Sequence, residues 1–561
     1  MDFVLQLHTH LPYVLNHGRW PHGSDWICEA ALDTYLPLLD ELLVLKADAV
    51  PSPLTIGFTP VLANQLASPT FVEEMNAFFT QRLEACDEAP ASLAETGDTH
   101  LLPLVDFWRE RLTALRELFW LIDGDLVAAF RRLEQAGRVE LIGSAATHGF
   151  LPLLGRDESI RLQLGLGRAE HKRLFGRLPD GCWLPECAYR GRGPWEPLPG
   201  GPRSPMRRGI DEHLGDAGFR FFYVDSHQAR AGDPLGLYAE VPLAPSELVR
   251  QSLARLAPAE RSPYHAYRVS RTLSPAVAAL VRDPRSTLQV WSRHRGYPGD
   301  SNYLEFHKTR WPGGLKLWRV TGHDIDLGRK EPYDPVRARD AVATHARHFV
   351  DVLAEVAATR PAREQSVIVA PFDTELFGHW WFEGVAFLGQ MYRELQRRPV
   401  VRATPASAYV GDAAALPALR LAAGSWGANG DFSMWLNPET TWTWQELWRL
   451  EDRFWDVAPA ALERPAAEPV LAQAARSLLL AQSSDWQFII STGDVADYAI
   501  QRFRGHVDDL RALLQALEDG SEGALTRGQY LAATLAQRDA LFPDVLPHVA
   551  AAAGGSRAMP L

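Results

Sequence analysis

Two carboxylates stand just past segments that read as buried strands. Glu186 closes Trp183-Leu184-Pro185-Glu186. Asp373 closes Ala370-Pro371-Phe372-Asp373, with Thr374-Glu375 and Leu376-Phe377-Gly378-His379-Trp380-Trp381 behind it. Two carboxylates brought to one pocket from different strands are the minimum apparatus for hydrolysing or transferring a sugar. A carboxylate among aromatics such as Trp183, Tyr189 and Trp195 is costly to ionise unless it has partners or a task. The competing reading of Asp373 is a helix cap before Thr374, which leaves the Trp380-Trp381 pair unexplained.

His8 and His10 are spaced to face one side of a strand. Such a pair can hydrogen-bond sugar hydroxyls or bind zinc. With His148 as a third member it keeps open a different chemistry, a metal-dependent polysaccharide deacetylase using His8, His10 and Asp373. Pyranose rings pack their C–H faces on flat aromatics, so the positions of the 18 Trp residues bear on a glycan site. Trp20, Trp183, Trp291, Trp318, Trp380 and Trp381 fall early in the chain, and Trp426 and Trp435 in a Gly-rich stretch. Trp444, Trp448 and Trp455 lie at helical spacing and read as core packing.

These residues need a frame. Seven short, near-continuously apolar runs precede residue 375: Phe3–His8, Leu54–Phe58, Val139–Gly143, Gly181–Leu184, Phe219–Val224, Thr287–Trp291 and Ser366–Ala370. Continuous rather than alternating apolarity suits parallel strands covered on both faces. Helical stretches lie between them, among them Ala30–Lys46, Leu115–Gln135 and Val336–Ala357. Each run ends in polar or aromatic residues, the arrangement of a barrel with its site at the strand C-termini; an open doubly wound sheet is the alternative. The expected architecture is α/β, with a catalytic barrel over 1–400, an inserted segment at 187–218, a long active-site loop region at 228–286, and a helical C-terminal domain over 401–561.

The composition sets limits. The chain has 561 residues, 46% hydrophobic and 22% charged, an ordinary globular mix. Its net charge of −12 argues against non-specific nucleic-acid binding and against an anionic membrane surface, and suits a neutral glycan. No apolar run is long enough for a membrane span. Met1-Asp2-Phe3-Val4-Leu5 is a poor secretory signal, and Cys28, Cys86, Cys182 and Cys187 suggest neither zinc pairs nor a disulfide framework. The expectation is a cytoplasmic protein with reduced thiols.

Taken together, His8-Thr9-His10-Leu11-Pro12-Tyr13, Thr147-His148-Gly149, Trp183-Leu184-Pro185-Glu186 and Phe372-Asp373-Thr374-Glu375-Leu376-Phe377-Gly378-His379-Trp380-Trp381 resemble, in order, the motifs of glycoside hydrolase family 57. The likeness continues through Ser425-Trp426-Gly427 and Ser484-Asp485-Trp486, and is greatest to the bacterial α-glucan-branching members. It implies a seven-stranded (β/α) barrel with an inserted helical segment and an all-helical C-terminal domain. It also implies a retaining mechanism without metal or other cofactor. The implied substrate is an α-1,4-glucan such as amylose or glycogen, a segment of which is transferred to a 6-hydroxyl; a monomer or weak homo-oligomer is expected. An α-amylase or a 4-α-glucanotransferase of the same family is the alternative. By resemblance Glu186 is the nucleophile and Asp373 the general acid/base. His10 and His148 line the scissile sugar, Trp20, Trp291, Trp426 and Trp435 the groove, and Tyr238 a loop over the site; Trp380 and Asp485 join the substrate-binding set. Phe372 stands where Tyr is expected and Ala146 where Asn is common, both flanking positions.

Overall fold

A computed structural model of the chain describes residues 1–19, 21–229, 262–269, 275–291, 296–360 and 365–554. Trp20, Tyr238 and most of the expected loop region 228–286 lie outside the described residues.

Seven parallel strands form the frame: Asp2–Thr9, Leu54–Phe58, Val139–Ser144, Gly181–Trp183, Phe221–Val224, Ala278–Val281 and Val367–Asp373. They pair in chain order, and the seventh pairs back onto the first, with His8 opposite Asp373. Every residue in them is buried except Asp373, which ends the last strand. That is why the runs are apolar throughout: layers cover both faces. The sheet curls into the expected seven-stranded (β/α) barrel with one seam. Among the described residues no ladder joins the sixth strand to the seventh; the Asp283 N–H donates to the Val369 carbonyl at 2.8 Å across the gap. Ala266–Arg268 adds a short antiparallel strand beside the sixth.

One expected strand is corrected. Thr287–Trp291 belongs to a helix, Pro284–Trp291, and the sixth strand is the preceding Ala278–Val281. The local chemistry explains it: Asp283 caps the helix, its carboxylate accepting from the Ser286 N–H at 2.7 Å, and Pro284 supplies a preset φ. The same start recurs at Ser68-Pro69, opening Pro69–Thr96, and at Asp334-Pro335, opening Pro335–Ala358. The segment after Glu186 holds a small antiparallel hairpin, Gly193–Trp195 with Ser204–Arg207, and a helix, Ile210–Ala217.

Beyond residue 440 the chain is helical: Thr441–Leu462, Glu468–Ala481, Asp485–Thr492, Ala496–Asp519, Glu522–Arg538 and Val545–Ala553. Trp444, Trp448 and Trp455 are buried packing residues, as their spacing suggests. They also tie this region to the barrel. The Trp448 indole N–H donates to the Leu153 carbonyl at 2.8 Å, and that of Trp455 to Ser159 Oγ at 2.9 Å. Trp448→Ala would remove a buried ring and leave a buried carbonyl without its donor. The expected loss of unfolding free energy is about 3–5 kcal/mol, read by urea denaturation. A loss under about 1 kcal/mol would mean that other contacts hold these helices.

Candidate active site

The turn after the fourth strand places Glu186 in a left-handed backbone conformation, φ 61°, and Cys187 follows at φ 49°. His148, in the turn after the third strand, has φ 58°. Non-glycine residues hold such angles only where the surroundings impose them. Here the imposing groups come from the C-terminal part of the chain. Gly424 and Tyr189 exchange backbone hydrogen bonds at 2.9 and 3.0 Å, and the Trp426 N–H donates to the Glu186 carbonyl at 3.0 Å. The Ser484 N–H donates to the His148 carbonyl at 3.1 Å.

The same two segments supply the side-chain partners of Glu186. The Trp426 indole N–H donates to Oε2 at 2.9 Å, and the Ser484 hydroxyl to Oε1 at 2.9 Å. Burial nevertheless pushes the Glu186 carboxyl up to about 7, against these two donors. Asp373 is raised well above its ordinary value, first by burial, then by the charges of Glu375 and Glu186. Among the described residues no hydrogen-bond donor reaches its carboxyl. One carboxyl thus has a donor on each oxygen, while among the described residues the other has none to oppose the rise that burial imposes.

Glu375 is a third buried carboxyl, two residues on. Its Oε1 accepts from the Tyr35 hydroxyl at 2.6 Å and the His10 N–H at 3.2 Å, while burial lifts it to about 7. Asp485 goes the other way: burial opposes it, but the charge and hydrogen bond of His10, 2.9 Å away, hold it at about 2. His10 also contacts Thr59 Oγ1 at 3.0 Å and stacks on His148, ring centroids 3.9 Å apart. His10, His148 and Asp485 therefore converge. They bring one potential ligand atom each within 4.8 Å of one another, and those atoms are engaged in hydrogen bonds inside the protein.

The aromatics divide. Trp426 is a nearly buried wall whose polar edge serves Glu186, while Trp183 meets its ring edge-on at 4.9 Å and the Arg282 guanidinium lies 5.5 Å from its centre. Arg282 is fixed by Asp225 at 3.1 Å. Trp291 stands edge-on to Trp426 at 6.3 Å and is partly exposed. Trp380 is 52% exposed and stacked on Phe306 at 5.1 Å. Trp435 needs correction: with 0% exposure it stacks on Phe150 at 4.6 Å, lies 6.4 Å from the Phe488 ring and offers no face to a groove, and its carbonyl accepts from the Trp444 indole N–H. Ser484 and Arg282 have no sequence signal of their own: Ser484 stands beside the charged Asp485 in Ser484-Asp485-Trp486, and Arg282 directly follows the sixth strand.

The family model described as Glycosyl hydrolase family 57 matches residues 4–412, and one described as 1,4-alpha-glucan branching enzyme, C-terminal, matches residues 446–549. The 1,4-alpha-glucan branching enzyme TK1436 of Thermococcus kodakarensis is 40% identical over 526 residues, covering 92% of this chain and 73% of its own. The probable 1,4-alpha-glucan branching enzyme Rv3031 of Mycobacterium tuberculosis is 31% identical, covering 94% of each. Among solved structures, the GH57-type branching enzyme of Pyrococcus horikoshii superposes with a TM-score of 0.86 at 35% identity, over 100% of this chain and 97% of that one. The alpha-amylase AmyC of Thermotoga maritima gives 0.77 at 28%, over 97% and 98%. With a barrel, two strand-end carboxyls and a family match over most of its length, this chain belongs to glycosyl hydrolase family 57.

Proposed function

We propose that the protein is a retaining 1,4-α-glucan branching enzyme in which Glu186 is the nucleophile and Asp373 the general acid/base. The observation that carries the assignment of roles is the unequal solvation of the two carboxyls, donors on both oxygens of Glu186 and none on Asp373. Glu186 attacks the anomeric carbon of an α-1,4-linked glucosyl unit. The C1–O4 bond breaks, and the Asp373 proton passes to the leaving oxygen. Asp373 then removes the proton from a 6-hydroxyl of a second glucan, whose oxygen displaces Glu186 from C1. Two displacements at one carbon retain its configuration and leave an α-1,6 branch. His10, His148 and Asp485 are proposed to bind the sugar being transferred, Trp291 and Trp426 to wall the groove, and Trp380 to offer an outer stacking surface.

We further propose residues 1–400 as the catalytic barrel, with its inserted segment at 187–218, and 401–561 as a domain that completes the groove. Among the described residues no helix is long and apolar enough to cross a membrane, and the four cysteines are free and buried. Reduced thiols support a cytoplasmic location, and a monomer or weak homo-oligomer suffices for the reaction.

The test is linear amylose followed by proton NMR for α-1,6 anomeric signal, alongside reducing-end release. New α-1,6 signal with few new reducing ends is expected, and Glu186→Gln should lower it by at least about 10³-fold. Reducing ends without α-1,6 signal would make the protein an amylase. Activity should survive EDTA; its loss would favour the deacetylase-type reading. Glu186 attacks only when ionised, so with its value near 7 the acidic limb of kcat/KM should fall below about pH 7. Asp373 must keep its proton, so its raised value sets the alkaline limb, which Asp373→Asn should abolish.

A further inference from the structure

Behind Glu186 runs a line of hydrogen bonds that the reaction scheme above does not use. The Ser484 hydroxyl, 2.9 Å from Glu186 Oε1, is also 2.9 Å from His148 Nδ1. His148 Nε2 is 3.0 Å from His8 Nε2. His8 Nδ1 ends the line: it is buried and, among the described residues, has no hydrogen-bond partner. His8 and His148 are buried themselves, at 2% and 3% exposure, and stack with ring centroids 4.9 Å apart; His8 also stacks on Trp183 at 4.8 Å.

Such a line has two self-consistent polarities. In one, the Ser484 O–H donates to a Glu186 carboxylate, His148 Nδ1–H donates to Ser484, His8 Nε2–H donates to His148, and His8 Nδ1 is a bare lone pair. In the other every proton is reversed: Glu186 is protonated, and His8 Nδ1–H is a buried donor with nothing to receive it. Buried donors without partners are rarer than under-used acceptors. The unpaired nitrogen therefore selects the first polarity. Burial also holds both imidazoles neutral, well below their ordinary values, so neither needs a second donor hydrogen.

We propose that Ser484 is a positioning residue for the nucleophile, and that the chain His8–His148–Ser484 runs with one fixed polarity that keeps Glu186 ionised and aimed. The proposal rests on the reading of Glu186 as nucleophile. It makes the ionisation of Glu186 depend on an imidazole, His8, that does not touch it. The other ionisable groups around Glu186 are His10 from the first strand, Asp373 from the seventh with Glu375 behind it, Asp485 from the C-terminal helices, and the adjacent Cys187; Arg282 acts on Asp373.

The experiment compares kcat, KM and the pH profile of kcat/KM on linear α-glucan for Ser484→Ala, Ser484→Thr, His8→Leu and His8→Gln, with melting curves run in parallel. Removing a donor from an ionised carboxyl raises its pKa. Ser484→Ala should therefore move the acidic limb up by about half a unit or more and lower kcat about tenfold or more, with KM changed less than about twofold. Ser484→Thr should restore both. His8→Leu removes the first donor of the chain and should move the same limb upward, whereas His8→Gln keeps an N–H for His148 and should not. Superimposable acidic limbs for Ser484→Ala and wild type overturn the proposal, as does an equal shift in His8→Leu and His8→Gln. If Ser484→Ala does not fold, the His8 pair decides. Trapping the glycosyl–enzyme with an activated 5-fluoro glycosyl fluoride, then peptide mapping, keeps the two readings apart. Label away from Glu186 overturns the nucleophile assignment; label on Glu186 with an unmoved limb overturns only the chain.

Discussion

A carboxylate held in a left-handed turn, with one donor on each oxygen, is the interaction on which the site depends. Glu186 cannot supply either donor from its own neighbourhood. The Trp426 indole lies 240 residues away in the chain and the Ser484 hydroxyl 298 residues away. Both belong to segments that also bond the backbone of the strained turns, at Glu186 and Tyr189 in one case and at His148 in the other. Docking of the C-terminal region and assembly of the Glu186 site are therefore one event. The indole N–H bonds of Trp448 to the Leu153 carbonyl and of Trp455 to the Ser159 hydroxyl hold that docking in place from the side.

The electrostatics follow from the same arrangement. Several carboxyls crowd one mouth of the barrel, and each is set apart by its partners. Asp485 is paired with His10 and kept ionised; Asp225 is paired with Arg282 and held at about 2. Glu375 is buried against the Tyr35 hydroxyl, and Asp373, with no donor among the described residues, is raised well above its ordinary value by burial. Environments that push like groups apart are what assign acid and base among chemically similar residues. Arg282 adds a second function, since its guanidinium braces the Trp426 ring whose N–H serves Glu186.

Much of this was legible in the chain. Six of the seven apolar runs are strands, because complete burial on both faces writes itself as uninterrupted apolarity. The sixth run misled: Thr287–Trp291 is apolar enough for a strand, but Asp283-Pro284 ahead of it is a helix start, and that signal outranks composition. The helical spacing of Trp444, Trp448 and Trp455 marked them as packing. Trp435, in a Gly-rich loop without periodicity, gave no such sign, and only its burial against Phe150 and Phe488 shows that it is core.

The sequence by itself determined the frame and the cast: parallel strands, their polar ends, two carboxylates and a set of motifs that names the family. Those features are local, since periodicity, turn residues and motif spacing are set by neighbours a few positions away. The tertiary structure decided which carboxyl receives a donor on each oxygen, which tryptophan supplies one of them, and which imidazoles stand in line behind it. These are matters of partner and burial, fixed by groups hundreds of residues apart in the chain, and the free energy of a proton in a buried site depends on those groups rather than on its neighbours in sequence.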